Sequence, residues 1–173
     1  MKHNLNRMNG IGQARKALWA RKILVLILAM MALAGVAAAK DIALVSNKSN
    51  SLPEMTIAEL LKVCKGQMNR WPDGKPVTLV MREPGSADMK IVEEKVYAAT
   101  AEAVEEIVAA ANHSRKDRPA IIIAKTDQDV IRKVEATPGA VGLVDVYSIT
   151  GAVEVIRIGG KLPLEAGYPL HGN

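Results

Sequence analysis

The segment Arg82-Glu83-Pro84-Gly85-Ser86-Ala87-Asp88 gathers the residue types in this chain that could do chemistry. A guanidinium can grip an oxyanion through two parallel hydrogen bonds. Gly85 lets the backbone approach a ligand closely. Ser86 can cap a following helix or turn its hydroxyl outward. The free N–H groups of a first helical turn form a partial positive pole that suits an anion. Arg82, Gly85, Ser86 and Ala87 together would make an oxyanion cradle that needs no metal. The same residues also fit an ordinary strand-to-helix turn, with Ser86 as its cap and Arg82 paired to Glu83 or Asp88. Ser46 and Arg115 are further candidates. Ser46 ends a strand, and Arg115 lies in the basic run His113-Ser114-Arg115-Lys116-Asp117-Arg118, which could extend an anion site or form a solvated turn.

Other reactive patterns are missing from the sequence. His113 and His171 have no partners at ligand spacing, so no metal is expected. There is no Gly-x-Ser-x-Gly elbow, and nothing sets a base beside a nucleophile. Neither an enzyme nor a cofactor is expected. Glu93-Glu94 and Glu105-Glu106 are adjacent on helices, so their side chains diverge around the axis. They read as solvated faces. Cys64 is the one cysteine, which excludes an intramolecular disulfide.

The elements that must hold the loop alternate along the chain. Asp41–Ser46, Val77–Met81, Ala120–Ala124 and Ala140–Val144 are continuous apolar strands. Val153–Ile158 is a last strand with partial alternation. Between them run amphipathic helices. Thr56-Ile57-Ala58-Glu59 is a capping box, and the helix it opens puts Ile57, Leu60, Leu61 and Cys64 on one buried stripe. A helix is expected from near Ser86 with Met89, Val92 and Val96 inward. Others start at Thr100 and Thr126, the last broken by Pro138-Gly139. Trp71-Pro72-Asp73-Gly74 is turn chemistry. Apolar strands alternating with such helices predict an α/β fold of three layers, a mostly parallel sheet with helices on both faces. Ligands in such sheets bind at the carboxyl ends of strands. That rule points to the Arg82–Asp88 loop and to the loops near Ser46 and Asp145.

The first 39 residues are of another kind. They carry Lys2, Arg7, Arg15, Lys16, Arg21 and Lys22 with no acidic residue. An apolar run, Ile23 to Ala34, follows the basic stretch, and Gly35-Val36-Ala37-Ala38-Ala39 closes it. These are the three parts of a secretory signal, so residues 1–39 are expected to be a signal peptide cleaved near Ala39. The alternative is a retained membrane anchor at the short limit for a spanning helix. In both cases the domain at 40–173 lies outside the cytoplasm, periplasmic or secreted, with a core over about 41–158 and an irregular tail over 159–173. Removing the leader's six basic residues from the 23 leaves 17 against 18 acidic. The domain is therefore close to neutral, and nothing in it argues for a nucleic-acid partner.

Trp71-Pro72-Asp73-Gly74, then Val80-Met81-Arg82-Glu83-Pro84-Gly85-Ser86, then Pro138-Gly139-Ala140-Val141-Gly142-Leu143-Val144 stand in an order that resembles the second lobe of the phosphate-binding periplasmic proteins of ABC importers. The likeness is stronger still to short, single-lobe exported relatives, and it spans about Asp41 to Ile158. It implies a type II periplasmic-binding fold. It implies a loop that holds phosphate oxygens through an arginine, a serine, backbone amides and a following hydroxyl. Arg82, Gly85 and Ser86 match that loop. Ala87 replaces a glycine, and Asp88 stands where the hydroxyl residue would be. The acidic residue that accepts a proton from phosphate in the family has Glu83 or Pro84 opposite it. The family closes two lobes on its ligand, so a second copy, another protein or a membrane transporter is implied as partner. The reading is an exported module that binds a small, phosphate-like oxyanion. The competing one is an accessory protein-interaction module of the cell envelope that keeps the fold without the ligand.

Overall fold

A computed structural model describes residues 40–172, apart from 114 and 116. The leader expected over 1–39 lies outside them. The main sheet has five strands: β1 (Ile42–Ser46), β3 (Thr78–Arg82), β4 (Ile121–Ala124), β5 (Ala140–Asp145) and β6 (Glu154–Val155). Their spatial order is β4-β3-β5-β1-β6. β3 runs parallel to both β4 and β5, while β1 is antiparallel to β5 and to β6. Four strands thus point one way and β1 alone points back. A second, two-stranded sheet pairs β2 (Glu54–Met55) in parallel with β7 (Arg157–Ile158).

Period-two alternation sends side chains to two separate cores. Ile42 and Leu44 of β1, Leu79 and Met81 of β3, and Val141 and Leu143 of β5 face one side. There they meet helix α1 (Ile57–Cys64) through Leu60, Val63 and Cys64, and helix α3 (Ala101–Asn112) through Val104. Ala43, Val45, Val80 and Val144 face the other side and meet Val130, Ile131 and Val134 of helix α4 (Asp127–Ala136). Helices on both faces require strands that are apolar on both faces, which is why these strands read as continuous apolar runs. Each fully buried Leu, Ile or Val contributes about 1.5–3 kcal/mol.

The local signals at helix starts hold. Thr56 accepts from the Glu59 amide at 3.2 Å, and Glu59 reaches back to the Thr56 amide at 2.8 Å. Thr100 and Thr126 cap α3 and α4 through their hydroxyls alone, accepting from the Ala103 and Asp129 amides. The stretch after Gly85 departs from expectation. Pro84 to Met89 is a run of turns, and regular helix covers only Lys90–Val92 (α2) before a π-helical turn over Glu93–Tyr97. Met89, Val92 and Val96 are nevertheless buried, together with Glu93 and Tyr97, so the apolar spacing named side chains that do face inward and the wrong winding. Val153–Ile158 also differs, because it is divided between the two sheets as β6 and β7. The tail contributes more than its composition suggests. Tyr168 and Leu170 are buried, and the Tyr168 hydroxyl and the Leu170 carbonyl both bond the backbone of Ile42.

Cys64 sits in the first core, and burial pushes its thiol up to about 12, with the Tyr97 hydroxyl pulling weakly the other way. The thiolate is the reactive form. At pH 8 the folded protein should therefore react with a thiol reagent about a thousandfold more slowly than a free cysteine. Labelling followed by mass spectrometry checks this, and urea should restore the ordinary rate.

Candidate oxyanion site

The parallel strands β4, β3 and β5 end at one edge of the sheet, so their following loops converge there. Arg82 ends β3 level with Ala124 at the end of β4. Asp127 follows three residues later as the first residue of α4, and Asp145 ends β5. Because β1 is antiparallel, its start lies at this same edge, with Ile42 opposite Asp145. Lys40 arrives there too.

After Arg82 the chain turns at once. The Ser86 amide bonds the Glu83 carbonyl at 3.2 Å. Pro84 and Gly85 fill the two central positions, Gly85 with a φ of +79°. That is the composition of a type II turn, whose third residue must be left-handed. The turn brings the carboxylate of Asp88 back onto Arg82.

The Arg82 guanidinium is held by two carboxylates. Its Nη1 lies 3.2 Å from Asp88 Oδ2 and 3.1 Å from Asp127 Oδ1. Asp127 is buried, and its other oxygen accepts from the Asp145 amide at 3.1 Å. Asp145 accepts from the Tyr147 amide at 2.8 Å and pairs with Lys40 Nζ at 2.8 Å. Lys40 reaches Asp88 at 3.5 Å and completes a ring. Burial alone would push the Asp145 carboxyl up. The Lys40 ammonium and the Tyr147 amide outweigh it and hold that carboxyl below the usual range. The hydrogen bond and charge of Asp145, joined by the charge of Asp88, hold the Lys40 ammonium above its ordinary value. Three carboxylates against two cations leave the ring one negative charge in excess. Asp127 gains further from its place in the first turn of α4, where the helix dipole favours an anion.

The other half of the expected cradle is also engaged. The Gly85 amide donates to Glu93 Oε1 at 2.6 Å. Glu93 was expected on a solvated face, yet it is only 8% exposed. Helix begins at Lys90 and not near Ser86, so no regular first turn presents its amides at Ser86 and Ala87. Two buried side-chain polar atoms have no hydrogen-bond partner among the described residues: Arg82 Nε and Ser86 Oγ.

Ser46 and Arg115 lie elsewhere. Ser46 pairs with Val141 near the start of β5, at the opposite end of the sheet. The reversed direction of β1 puts it there, and its hydroxyl is used by Asn47 and Asn50. Arg115 precedes β4, again at the opposite end, and donates to the Gly66 carbonyl and the Asn69 side chain. Neither joins Arg82. Lys40, Asp127 and Glu93 were not legible as site residues. For Asp127 a signal existed, since Lys125-Thr126-Asp127 is the strand-to-helix junction after β4 and obeys the carboxyl-end rule used for Arg82. His171 pairs with Asp41 at 2.5 Å, and no group of three or more metal-ligating side chains is found among the described residues.

The fold defines the class. Residues 32–160 match the family model described as "PBP superfamily domain", and this chain belongs to that family. Its structure is similar to the ABC-type phosphate transport receptor of Vibrio cholerae, with a TM-score of 0.63, 19% identity, and 78% of this chain and 55% of that chain covered. It is similar to PstS from Borrelia burgdorferi, with a TM-score of 0.60, 16% identity, and coverage of 79% and 56%. It is similar to the phosphate-binding protein of Stenotrophomonas maltophilia, with a TM-score of 0.54, 18% identity, and coverage of 72% and 40%. The chain therefore spans about half the length of these structures. No curated protein matches it. The expected mostly parallel α/β lobe is the observed one.

Proposed function

We propose that this chain is an exported solute-binding module of the phosphate type, taking a small oxyanion at Arg82, Gly85, Ser86 and Ala87. The observation that carries this reading is the pair of unpartnered atoms, Arg82 Nε and Ser86 Oγ. A buried polar group left without a partner costs about 1–3 kcal/mol. An anion's oxygens would accept from both, one at the end of β3 and the other in the turn that follows it. The negative excess of the surrounding ring sets a condition on the ligand. Asp88 and Asp127 repel a fully ionised oxyanion, whereas one that keeps a proton can donate it to a carboxylate. That favours phosphate over sulfate. A single lobe leaves the ligand wet, and exposed ion pairs contribute only about 0–1 kcal/mol each. Capture therefore stays weaker than about 1 µM, or about 8 kcal/mol, unless a second copy or a transporter subunit closes over the site.

Titration calorimetry on protein recovered from the cell envelope tests this. Heat is expected with phosphate and little with sulfate or small carboxylates. Absence of heat with every oxyanion, from folded protein, removes the reading. The intact mass of the same sample reports whether it starts near Lys40, as export and cleavage require. One observation favours the accessory-module reading: the chain's own carboxylates already occupy Arg82 and the Gly85 amide. That reading expects recovery of one and the same envelope partner with and without Arg82.

A further inference from the structure

We infer that Glu93 sets the affinity of this site, its carboxylate holding the amide that an incoming oxyanion would take. The inference rests on the oxyanion reading above and adds the residue that competes with the ligand. Glu93 Oε1 accepts from the Gly85 amide at 2.6 Å, a short bond of the charge-assisted kind, about twice as strong as a neutral one. Two other donors of the same segment, Arg82 Nε and Ser86 Oγ, are buried and have no hydrogen-bond partner among the described residues. One carboxylate oxygen thus stands at the cradle's amide while the cradle's side-chain donors wait for an acceptor.

The backbone around Glu93 explains how it reaches the loop. Its carbonyl accepts from the amides of both Ala98 and Ala99. This closes the wide π-helical turn, and Ala98 takes a left-handed φ of +50° to end it. π-helical turns inside helices often mark functional sites. Glu93 also has somewhere to go. An open cavity of about 460 Å³ lies against it, lined by Lys90, Glu93, Glu94, Ala98, Ala99 and Thr100. A displaced carboxylate can turn into that space, which Lys90 also lines. Binding is then an exchange of one acceptor for another at Gly85, with the oxyanion gaining Arg82 Nε and Ser86 Oγ besides.

Glu93→Gln tests this, because it keeps the size and an oxygen acceptor but removes the charge. Phosphate should bind the variant about tenfold more tightly than the parent, and the Gly85 amide should exchange faster in the absence of ligand. Glu93→Asp, too short to reach, should act in the same direction should the amide variant fold poorly. In the parent protein, phosphate should move the Gly85 amide and the Glu93 carboxyl carbon resonances together. Equal phosphate affinity in parent and variant, or weaker affinity in the variant, overturns the role of Glu93 and leaves the oxyanion site standing. No phosphate binding by the parent or by either variant overturns the site and this inference with it.

Discussion

Arg82→Ala is expected to abolish phosphate binding, more than a hundredfold, and to destabilise the domain. The stability loss follows from what the guanidinium leaves behind. The Asp127 side chain is 7% exposed and that of Arg82 is 22% exposed. Without Arg82, Asp127 keeps the Asp145 amide but loses its cation, while Asp88 keeps only Lys40 at 3.5 Å. Removing one partner of a fully buried pair costs about 3–5 kcal/mol. Partial exposure here reduces that to roughly 2–3 kcal/mol. Arg82→Lys should recover part of the stability and little of the binding, because an ammonium cannot place donors at both Nη1 and Nε. Urea unfolding and calorimetry on the same samples separate the two effects. An alanine variant with unchanged midpoint and unchanged phosphate heat would dismiss Arg82 as the centre of the site.

The largest effect on folding is expected from Gly139→Ala, at the turn between α4 and β5. Gly139 has a φ of +88°, and a Cβ there would stand 2.1 Å from the Pro76 carbonyl oxygen. The same residue is bonded on every side. Its amide donates to Asn50 at 2.8 Å, and its carbonyl accepts from the Trp71 indole at 2.8 Å. The neighbouring backbone cannot move aside without breaking these bonds. A loss above about 4 kcal/mol is expected, a large fraction of an ordinary domain's stability. Gly74→Ala is the matched control. Its φ of +86° is as left-handed, but nothing lies within 4 Å of the added methyl. It should lose only the backbone penalty, about 1–2 kcal/mol. Chemical denaturation of the two variants checks the contrast, and equal losses would place the cost in backbone conformation rather than collision.

What the sequence revealed and what it concealed divide along a physical line. Patterns that depend on near neighbours were legible. Thr56-x-x-Glu59, Thr100 and Thr126 announce helix starts because a cap bonds residues two or three positions away. β1, β3 and β5 were legible as strands covered on both faces because a continuous apolar run is read from adjacent residues alone. The direction of β1 was not, since it is set by pairing with a strand about a hundred residues later. The misplacement of Ser46 follows from that single reversal. The winding after Gly85 was hidden for a similar reason. The Glu93 carboxylate holds the Gly85 amide across eight residues, a contact no helical spacing anticipates. Arg82 was found as a cation near a turn, but its partner Asp127 lies 45 residues away. Net charge at the site becomes visible only once three loops meet.

The position of β1 has a bearing on how the molecule is made. It is the earliest strand of the domain to be synthesised and sits between two later ones, with Ile42 beside Asp145 and Val45 beside Val155. No local hairpin can shield it, so both of its edges stay open until nearly all of the domain has left the ribosome. Pairings so distant along the chain slow the approach to the native state.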